Sequence, residues 1–305
     1  MKAAGPKLGI SRPSAFLPIM GAVEKAEVKQ EVRRAVRRAA PEIEALARAG
    51  YFAKGIVYGL IGVLAARAAF QARESAQNTD PRGALERVGE QPFGQVILGL
   101  LALGLAGYAL WHVVRAVLDP ERHGRGPKAW AKRLGYAVSA GVHLSLAWFA
   151  LGFALAGRSN GRGKSEEDWT AELLRTDAGP WVVAGAGVII LGLALSQFYI
   201  AYRASFLRRL HFDDLPEPAY RLLTRLGQVG IAARGVVFAI VGGFLLEAAW
   251  TDNPQRAGGI ADALSLLESR PAGPWLLGVV ALGLIAYGIF VIAQSRYRII
   301  PVRQS

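Results

Sequence analysis

The chain has 305 residues, of which 52% are hydrophobic, and it carries a formal net charge of +13. Because its mean hydropathy is positive despite that charge, apolar and charged residues must be segregated along the chain, which is unlike a soluble protein of this length. The absence of cysteine excludes disulfides, iron–sulfur clusters, thiolate zinc sites and cysteine nucleophiles.

Residues 1–45 are predicted to form a basic arm ahead of the first membrane segment. Their start resembles a secretory signal only weakly, since Arg12 and Pro18 interrupt a short apolar run, and we expect no cleavage. Over 22–40 a stripe of valine and alanine indicates an amphipathic helix, which is flanked by Arg33, Arg34, Arg37 and Arg38. Such helices lie on anionic leaflets, so we expect the arm to contact anionic lipid headgroups. A helix that reaches solvent or a partner protein is the alternative.

Six segments are apolar enough to cross a bilayer, which needs about 20 helical residues. Four of them contain no Asp, Glu, Lys or Arg between the charged residues that bound them, at 90 and 115, 133 and 158, 177 and 203, and 270 and 296. The other two, 50–70 and 229–250, contain charges that must reach the membrane surface or pair inside the protein. None alternates apolar and polar residues as barrel strands do. The sequence therefore predicts an all-α membrane protein with six transmembrane helices.

The distribution of lysine and arginine predicts the orientation of these helices. The N-terminal arm, the loops after the second and fourth segments, and the C-terminal tail together hold 24 of the 36 basic residues. The alternate loops hold 10, so both termini are expected in the cytoplasm. The net charge thus indicates topology, and no aromatic-interleaved basic groove for nucleic acid is visible.

Three copies of one unit make up most of the chain. The segment "LLALGLAGYALW" at 100–111 matches "VVALGLIAYGIF" at 279–290 at an offset of 179, and offsets of 85 and 180 align Gly50 with Gly135 and Gly230. Each copy is predicted to hold two membrane helices and a short amphipathic helix in its outer loop. The copies lie at 46–120, 131–207 and 226–298, followed by a tail at 299–305. Because each copy crosses twice, the copies are parallel, which predicts a pseudo-three-fold axis along the membrane normal.

The tandem two-helix units resemble a bacterial membrane family known as "domain of unknown function 1206". The resemblance rests on first-helix segments such as "GYFAKGIVY" and second-helix segments such as "ALGLAGYALW", and it covers about residues 45–298. It implies the three-repeat fold and a location in the bacterial inner (plasma) membrane. The family carries no assigned activity, so the resemblance implies no function.

Matching positions of the three first helices carry polar and aromatic side chains within the membrane. They are Lys54, Ser139 and Arg234 and, one turn deeper, Tyr58, His143 and Phe238. Because residues i and i+4 share a helix face, a three-fold bundle would stack them as a basic and an aromatic ring. One interpretation is a cytoplasmic-side vestibule for an anion or a lipid headgroup. The other is that Lys54 and Arg234 snorkel to lipid phosphates near the helix ends.

Three further features have two interpretations each. His143 would lie near the membrane midplane, where it is either a functional group or a neutral imidazole bonded to a neighbouring helix. Arg67 and Glu247 occupy matching outer-end positions, where they either pair or lie separately at the interface. Small residues recur at equivalent positions and favour internal helix packing over dimerisation, namely Gly55, Gly59 and Gly62 with Gly235, Ala239 and Gly242.

No catalytic chemistry is visible in the sequence. The segment "GRSNGRGKS" at 157–165 has Arg158 where a P-loop needs glycine, the four histidines are dispersed, and no serine nucleophile elbow occurs. We therefore predict a non-enzymatic membrane protein, without a metal or cofactor, that contacts lipid or a membrane-protein partner. The alternative is a transporter or channel for a small solute, such as an anion. The sequence leaves the oligomeric state open.

Overall fold

The computed structural model describes residues 31, 34, 38–70, 79–119, 124, 126–156, 166–211 and 215–300. In chain order its α-helices are α1 (Ala40–Phe70), α2 (Pro81–Gly89), α3 (Gly94–Leu118), α4 (Pro127–Ala156), α5 (Glu166–Leu174), α6 (Gly179–Arg203), α7 (Glu217–Thr251), α8 (Ile260–Glu268) and α9 (Gly273–Tyr297). Short 3-10 turns lie at Ser205–Arg209 and Pro254–Arg256. β pairing in these ranges is limited to an isolated bridge between Leu210 and Arg298.

Six helices, α1, α3, α4, α6, α7 and α9, are long and apolar enough to cross a membrane, which confirms the six predicted segments. The two segments that carry internal charges are also helical throughout, and α1 and α7 begin earlier than the apolar run alone indicates. The short helices α2, α5 and α8 follow the first long helix of each repeat, as predicted. The protein is therefore a multi-pass membrane protein.

Each repeat turns from its short helix into its second long helix at a glycine. A Cβ at Gly94, Gly179 or Gly273 would lie 2.3, 2.0 or 1.8 Å from a carbonyl oxygen of the preceding short helix. Any side chain there would push the two helices apart. The same close approach in all three copies shows that this corner of the repeat folds alike in each of them.

Small residues bring the first and last membrane helices together. A Cβ on Gly288 of α9 would lie 2.7 Å from the amide nitrogen of Gly59 and 2.8 Å from the carbonyl oxygen of Gly55, both in α1. Glycines that recur in α7 face α6 instead, since a Cβ on Gly242 would lie 2.9 Å from the side chain of Leu191. The predicted internal packing of these glycines is therefore confirmed.

The six membrane helices pack side by side in an open arc rather than in a closed ring. Between repeats, α1 packs on α9, α3 on α4, and α6 on α7, and within the outer two repeats α1 packs on α3 and α7 on α9. Across the described residues, α4 and α6 of the middle repeat form no comparable contact. The predicted six-helix, three-repeat architecture is confirmed, whereas its pseudo-three-fold closure is not.

A difference in side-chain size accounts for the opening. In repeat 1, a Cβ on Gly104 would lie 2.8 Å from Cβ of Ala53, and in repeat 3 a Cβ on Gly283 would lie 2.3 Å from Cβ of Ala233. The equivalent positions in repeat 2 are Val138 and Ile189, whose relative exposures are 59% and 64%. Alanine and glycine permit the close backbone approach that valine and isoleucine prevent. The middle repeat therefore cannot pack as its neighbours do.

Candidate functional site

Repeats 1 and 3 build the same arrangement of a cation on a tyrosine. The Lys54 ammonium of α1 donates to the Tyr108 hydroxyl of α3, with Nζ 2.9 Å from the oxygen. At the equivalent place, the Arg234 guanidinium of α7 donates to the Tyr287 hydroxyl of α9. Lys54 Nζ also lies 5.9 Å from the centre of the Tyr58 ring, which packs on Tyr287, so the two arrangements meet inside the bundle.

Glycines one turn before each cation fix this geometry. A Cβ on Gly50 would lie 2.6 Å from the backbone nitrogen of Tyr108, and a Cβ on Gly230 would lie 2.5 Å from that of Tyr287. Each tyrosine backbone thus lies directly against the first helix of its own repeat. Because i and i+4 share a helix face, the cation that follows is placed beside the same tyrosine.

Aromatic contacts join these two arrangements to α4. The Tyr58 and Tyr287 rings lie 4.8 Å apart at 78°, an edge-to-face geometry. The His143 ring of α4 lies 4.5 Å from the Tyr108 ring, and its Nδ1 lies 2.8 Å from the carbonyl oxygen of Ser139. We name this set the basic–aromatic cluster, comprising Lys54, Tyr58, Tyr108, His143, Arg234 and Tyr287.

The charged groups of the cluster contact aromatic faces as well as hydroxyls. Lys54 Nζ lies 4.8 Å from the centre of the Tyr108 ring, and the Arg234 guanidinium carbon lies 4.7 Å from the centre of the Phe238 ring. Contacts of this kind stabilise a cation by about 0.5–2 kcal/mol, more when it is shielded from water. They hold the cations in place without neutralising their charge.

The cluster lies away from the ends of the helices that form it. Tyr108 is ten residues from the end of α3, and Tyr287 is ten residues from the end of α9. At 1.5 Å per residue, this distance is about 15 Å along the helix. The structure therefore places both cations on tyrosines of the bundle rather than at a helix end.

Three predicted features stay predictions. Glu247 Oε1 accepts from Arg256, with the two atoms 3.0 Å apart, and no pairing of Glu247 with Arg67 appears among the described contacts. Ser139 contributes its carbonyl oxygen, not its hydroxyl, to the contact with His143. In the predicted arm, Arg34 and Arg38 are exposed, whereas Arg33 and Arg37 lie outside the described residues.

The sequence did not predict three contacts between cations and tyrosines. Tyr108 and Tyr287 occupy matching places in the strongest repeat match, so their shared offset of 179 was the available signal. Arg115 is buried and donates to the Tyr136 hydroxyl, with Nη2 2.7 Å from the oxygen. The Arg298 guanidinium lies over the Tyr51 ring at 4.8 Å. These pairs extend the pattern of cations on tyrosines toward the helix ends that carry the chain termini.

No group of three metal-ligating side chains occurs among the residues that the structure describes. A cleft of about 1070 Å³ lies between α3 and α4, and small and apolar residues line most of it, including Gly99, Ala106, Gly141, Leu144 and Trp148. Arg82 of α2 borders this cleft, with its guanidinium carbon 5.9 Å from the Phe149 ring. Such a surface suits an acyl chain better than a polar substrate.

The fold and the cluster define a class of multi-pass membrane protein built from three tandem two-helix repeats. The chain belongs to the family described as Domain of Unknown Function (DUF1206), whose model matches residues 49–119, 134–204 and 229–298. It is 35% identical over 260 residues to the "Uncharacterized protein YxxB" of Bacillus subtilis (strain 168), a match that covers 85% of this chain and 92% of that relative. No solved structure matches the chain significantly.

Proposed function

We propose that this protein is a non-enzymatic, lipid-contacting protein of the bacterial plasma membrane whose middle repeat exposes two helices to acyl chains. The observation that carries the proposal is the uneven burial of the helices. In their most apolar stretches, 22% of the residues of α4 and 17% of those of α6 are buried, compared with 61% in α9. In a bilayer, the exposed apolar faces of α4 and α6 are solvated by lipid.

The cleft between α3 and α4 supports the same proposal. Its small residues leave a depression on an otherwise apolar surface, and Arg82 supplies a cation at its border. An anionic lipid could place its chains in the cleft and its headgroup near Arg82. The predicted arm, with its four arginines, would add contacts to anionic headgroups of the other leaflet.

The orientation belongs to this proposal and is supported by the excess of basic residues on one side. With both termini in the cytoplasm, Arg175 lies outside the cell. A single cysteine introduced there, in a chain that has no other cysteine, should react with a membrane-impermeant reagent added to intact cells. If the cysteine reacts only after the cells are permeabilised, the orientation is the reverse of the one proposed.

Spin labels on the middle repeat test the contact with lipid. We expect nitroxides at Val138→Cys and Ile189→Cys to be accessible to oxygen, which partitions into lipid, and inaccessible to a water-soluble nickel chelate. A label at Ile289→Cys on α9, a residue that is 47% exposed, is the matched lipid-facing control. Accessibility to the nickel chelate would indicate a water-filled path and favour transport. Protection from both reagents would show that protein covers these faces, which contradicts the proposal.

A further inference from the structure

Neither cation of the basic–aromatic cluster pairs with a carboxylate among the described residues. The spanning helices α3, α4, α6 and α9 contain no Asp or Glu. The carboxylates that form ion pairs in the other two belong to Glu44 with Arg48, Glu217 with Arg221, and Glu247 with Arg256. Within the described residues, the hydrogen-bonding partners of Lys54 and Arg234 are tyrosine hydroxyls. The cluster thus holds two cations that pair with no carboxylate in the described part of the chain.

Cations without a carboxylate partner are costly inside a membrane helix. By insertion measurements the cost reaches on the order of 3 kcal/mol for a charged side chain at the centre of a transmembrane helix. Phenol and aromatic-face contacts offset part of this cost for each cation, but they do not reduce the repulsion between the two. A bound anion would remove that repulsion and supply the missing charge-assisted hydrogen bonds.

The donors of the cluster are not all used. The Lys54 ammonium has three N–H groups, and Tyr108 accepts one of them at 2.9 Å. The Nε atom of Arg234 is buried and has no hydrogen-bond partner within the described structure. Each tyrosine hydroxyl accepts from its cation and therefore keeps its own O–H free to donate.

Burial differs within the cluster. Lys54, Tyr58, His143 and Arg234 are half-buried, whereas Tyr108 and Tyr287 are buried. A ligand would contact the two cations through the atoms that stay exposed. A planar guanidinium beside an ammonium and two phenols matches the several oxygens of a phosphate group.

We propose that Lys54 and Arg234, with the hydroxyls of Tyr108 and Tyr287, form a binding site for a phosphate-type oxyanion. The phosphate belongs either to a lipid headgroup or to a free anion, since both present the same oxygens. The site rests on the charges and donors of repeats 1 and 3. It is therefore independent of the proposed exposure of the middle repeat to lipid.

Thermal unfolding of the full chain in dodecyl maltoside micelles, which contain no phosphate group, tests this site with two probes. The first probe is inorganic phosphate, with sodium chloride at matched ionic strength as the reference. The second is phosphatidylglycerol added to the same micelles. We expect at least one probe to raise the Tm by about 5 °C when the site is close to saturation. A rise in Tm with inorganic phosphate only would identify the ligand as a free anion. A rise with phosphatidylglycerol only would identify it as a lipid headgroup.

The variant Lys54→Gln/Arg234→Gln should lose this rise in Tm. The matched control is Lys132→Gln/Arg221→Gln, which removes the same charge from two exposed positions and should respond like the wild type. If the cluster variant does not fold, Arg234→Lys keeps the charge but loses the guanidinium fork, and it should show a smaller rise. No response of the wild type to either probe, or an equal response of the cluster and control variants, would overturn the site.

Discussion

Replacing Gly288 with alanine is expected to destabilise the protein by about 1–3 kcal/mol, the usual cost of overpacking. The new methyl group would lie 2.7 Å from a backbone nitrogen and 2.8 Å from a backbone oxygen of α1, neither of which can rotate away. The helices α1 and α9 would have to separate along the most extensive helix–helix contact among the described residues. The free energy of unfolding, measured by titration with a denaturing detergent, checks this expectation.

Gly59→Ala is the control for that substitution. Gly59 belongs to the same helix contact, but a Cβ there meets no atom within 4 Å among the described residues. Because alanine favours the helix over glycine by up to about 1 kcal/mol, this variant should be as stable as the wild type or more so. Equal stability of the two variants would mean that α1 and α9 are further apart than the structure shows.

Replacing Tyr287 with phenylalanine has the second large expected effect. Arg234 would lose the hydroxyl that accepts its hydrogen bond, and its Nε already lacks a partner within the described chain. Leaving a buried donor unpaired costs about 1–3 kcal/mol, and more for a charged group. The same detergent titration should therefore show a loss of stability in this range or above it.

Tyr58→Phe separates the hydrogen bond from the aromatic contact. The Tyr58 ring packs on Tyr287, but its hydroxyl takes part in no hydrogen bond found among the described residues. We expect this variant to change the stability by less than about 0.5 kcal/mol, as is usual where no special contact is lost. A loss as large as that of Tyr287→Phe would show that the ring contacts, and not the bond to Arg234, stabilise the cluster.

The helices and repeats could be predicted from the sequence because they depend on local properties. An apolar run of sufficient length determines a membrane helix, even where Lys54 or Arg234 interrupts it. The fixed offset between repeats likewise predicts a corner glycine at Gly94, Gly179 and Gly273. In the structure, close contact with the preceding short helix requires glycine at each of these positions.

The contacts between helices could not be predicted in the same way. The spacing of Lys54 and Tyr58 shows that they share a helix face, but not which neighbouring helix that face meets. The partners Tyr108 and Tyr287 come from the second helix of each repeat and are identified only by the packing. Whether Lys54 and Arg234 snorkel to the membrane surface or point into the bundle depends on which neighbouring helix their side chains meet.

The open packing of the middle repeat could be predicted in part from the sequence. Ala53 with Gly104 and Ala233 with Gly283 pair small residues, whereas the aligned Val138 and Ile189 do not. Repeat 2 also has Ser139 and Leu193 where the outer repeats have a cation and a tyrosine. Repeat 2 therefore lacks both the small-residue pair and the cation–tyrosine pair that hold the two helices of repeats 1 and 3 together. A prediction that treats the three repeats as equal gives a closed ring of helices, which the side chains of repeat 2 do not support.

Cysteine cross-linking of equivalent positions tests this open architecture most directly. Three pairs are introduced separately into the cysteine-free chain at the positions where side chains of repeats 1 and 3 meet, and at their equivalents in repeat 2. They are Lys54→Cys with Tyr108→Cys, Arg234→Cys with Tyr287→Cys, and Ser139→Cys with Leu193→Cys. With a short bifunctional thiol reagent in membranes, the first two pairs should cross-link efficiently, and the pair in the middle repeat should not. Efficient cross-linking of Ser139→Cys to Leu193→Cys would show that α4 and α6 pack like their counterparts, and would contradict the open arc.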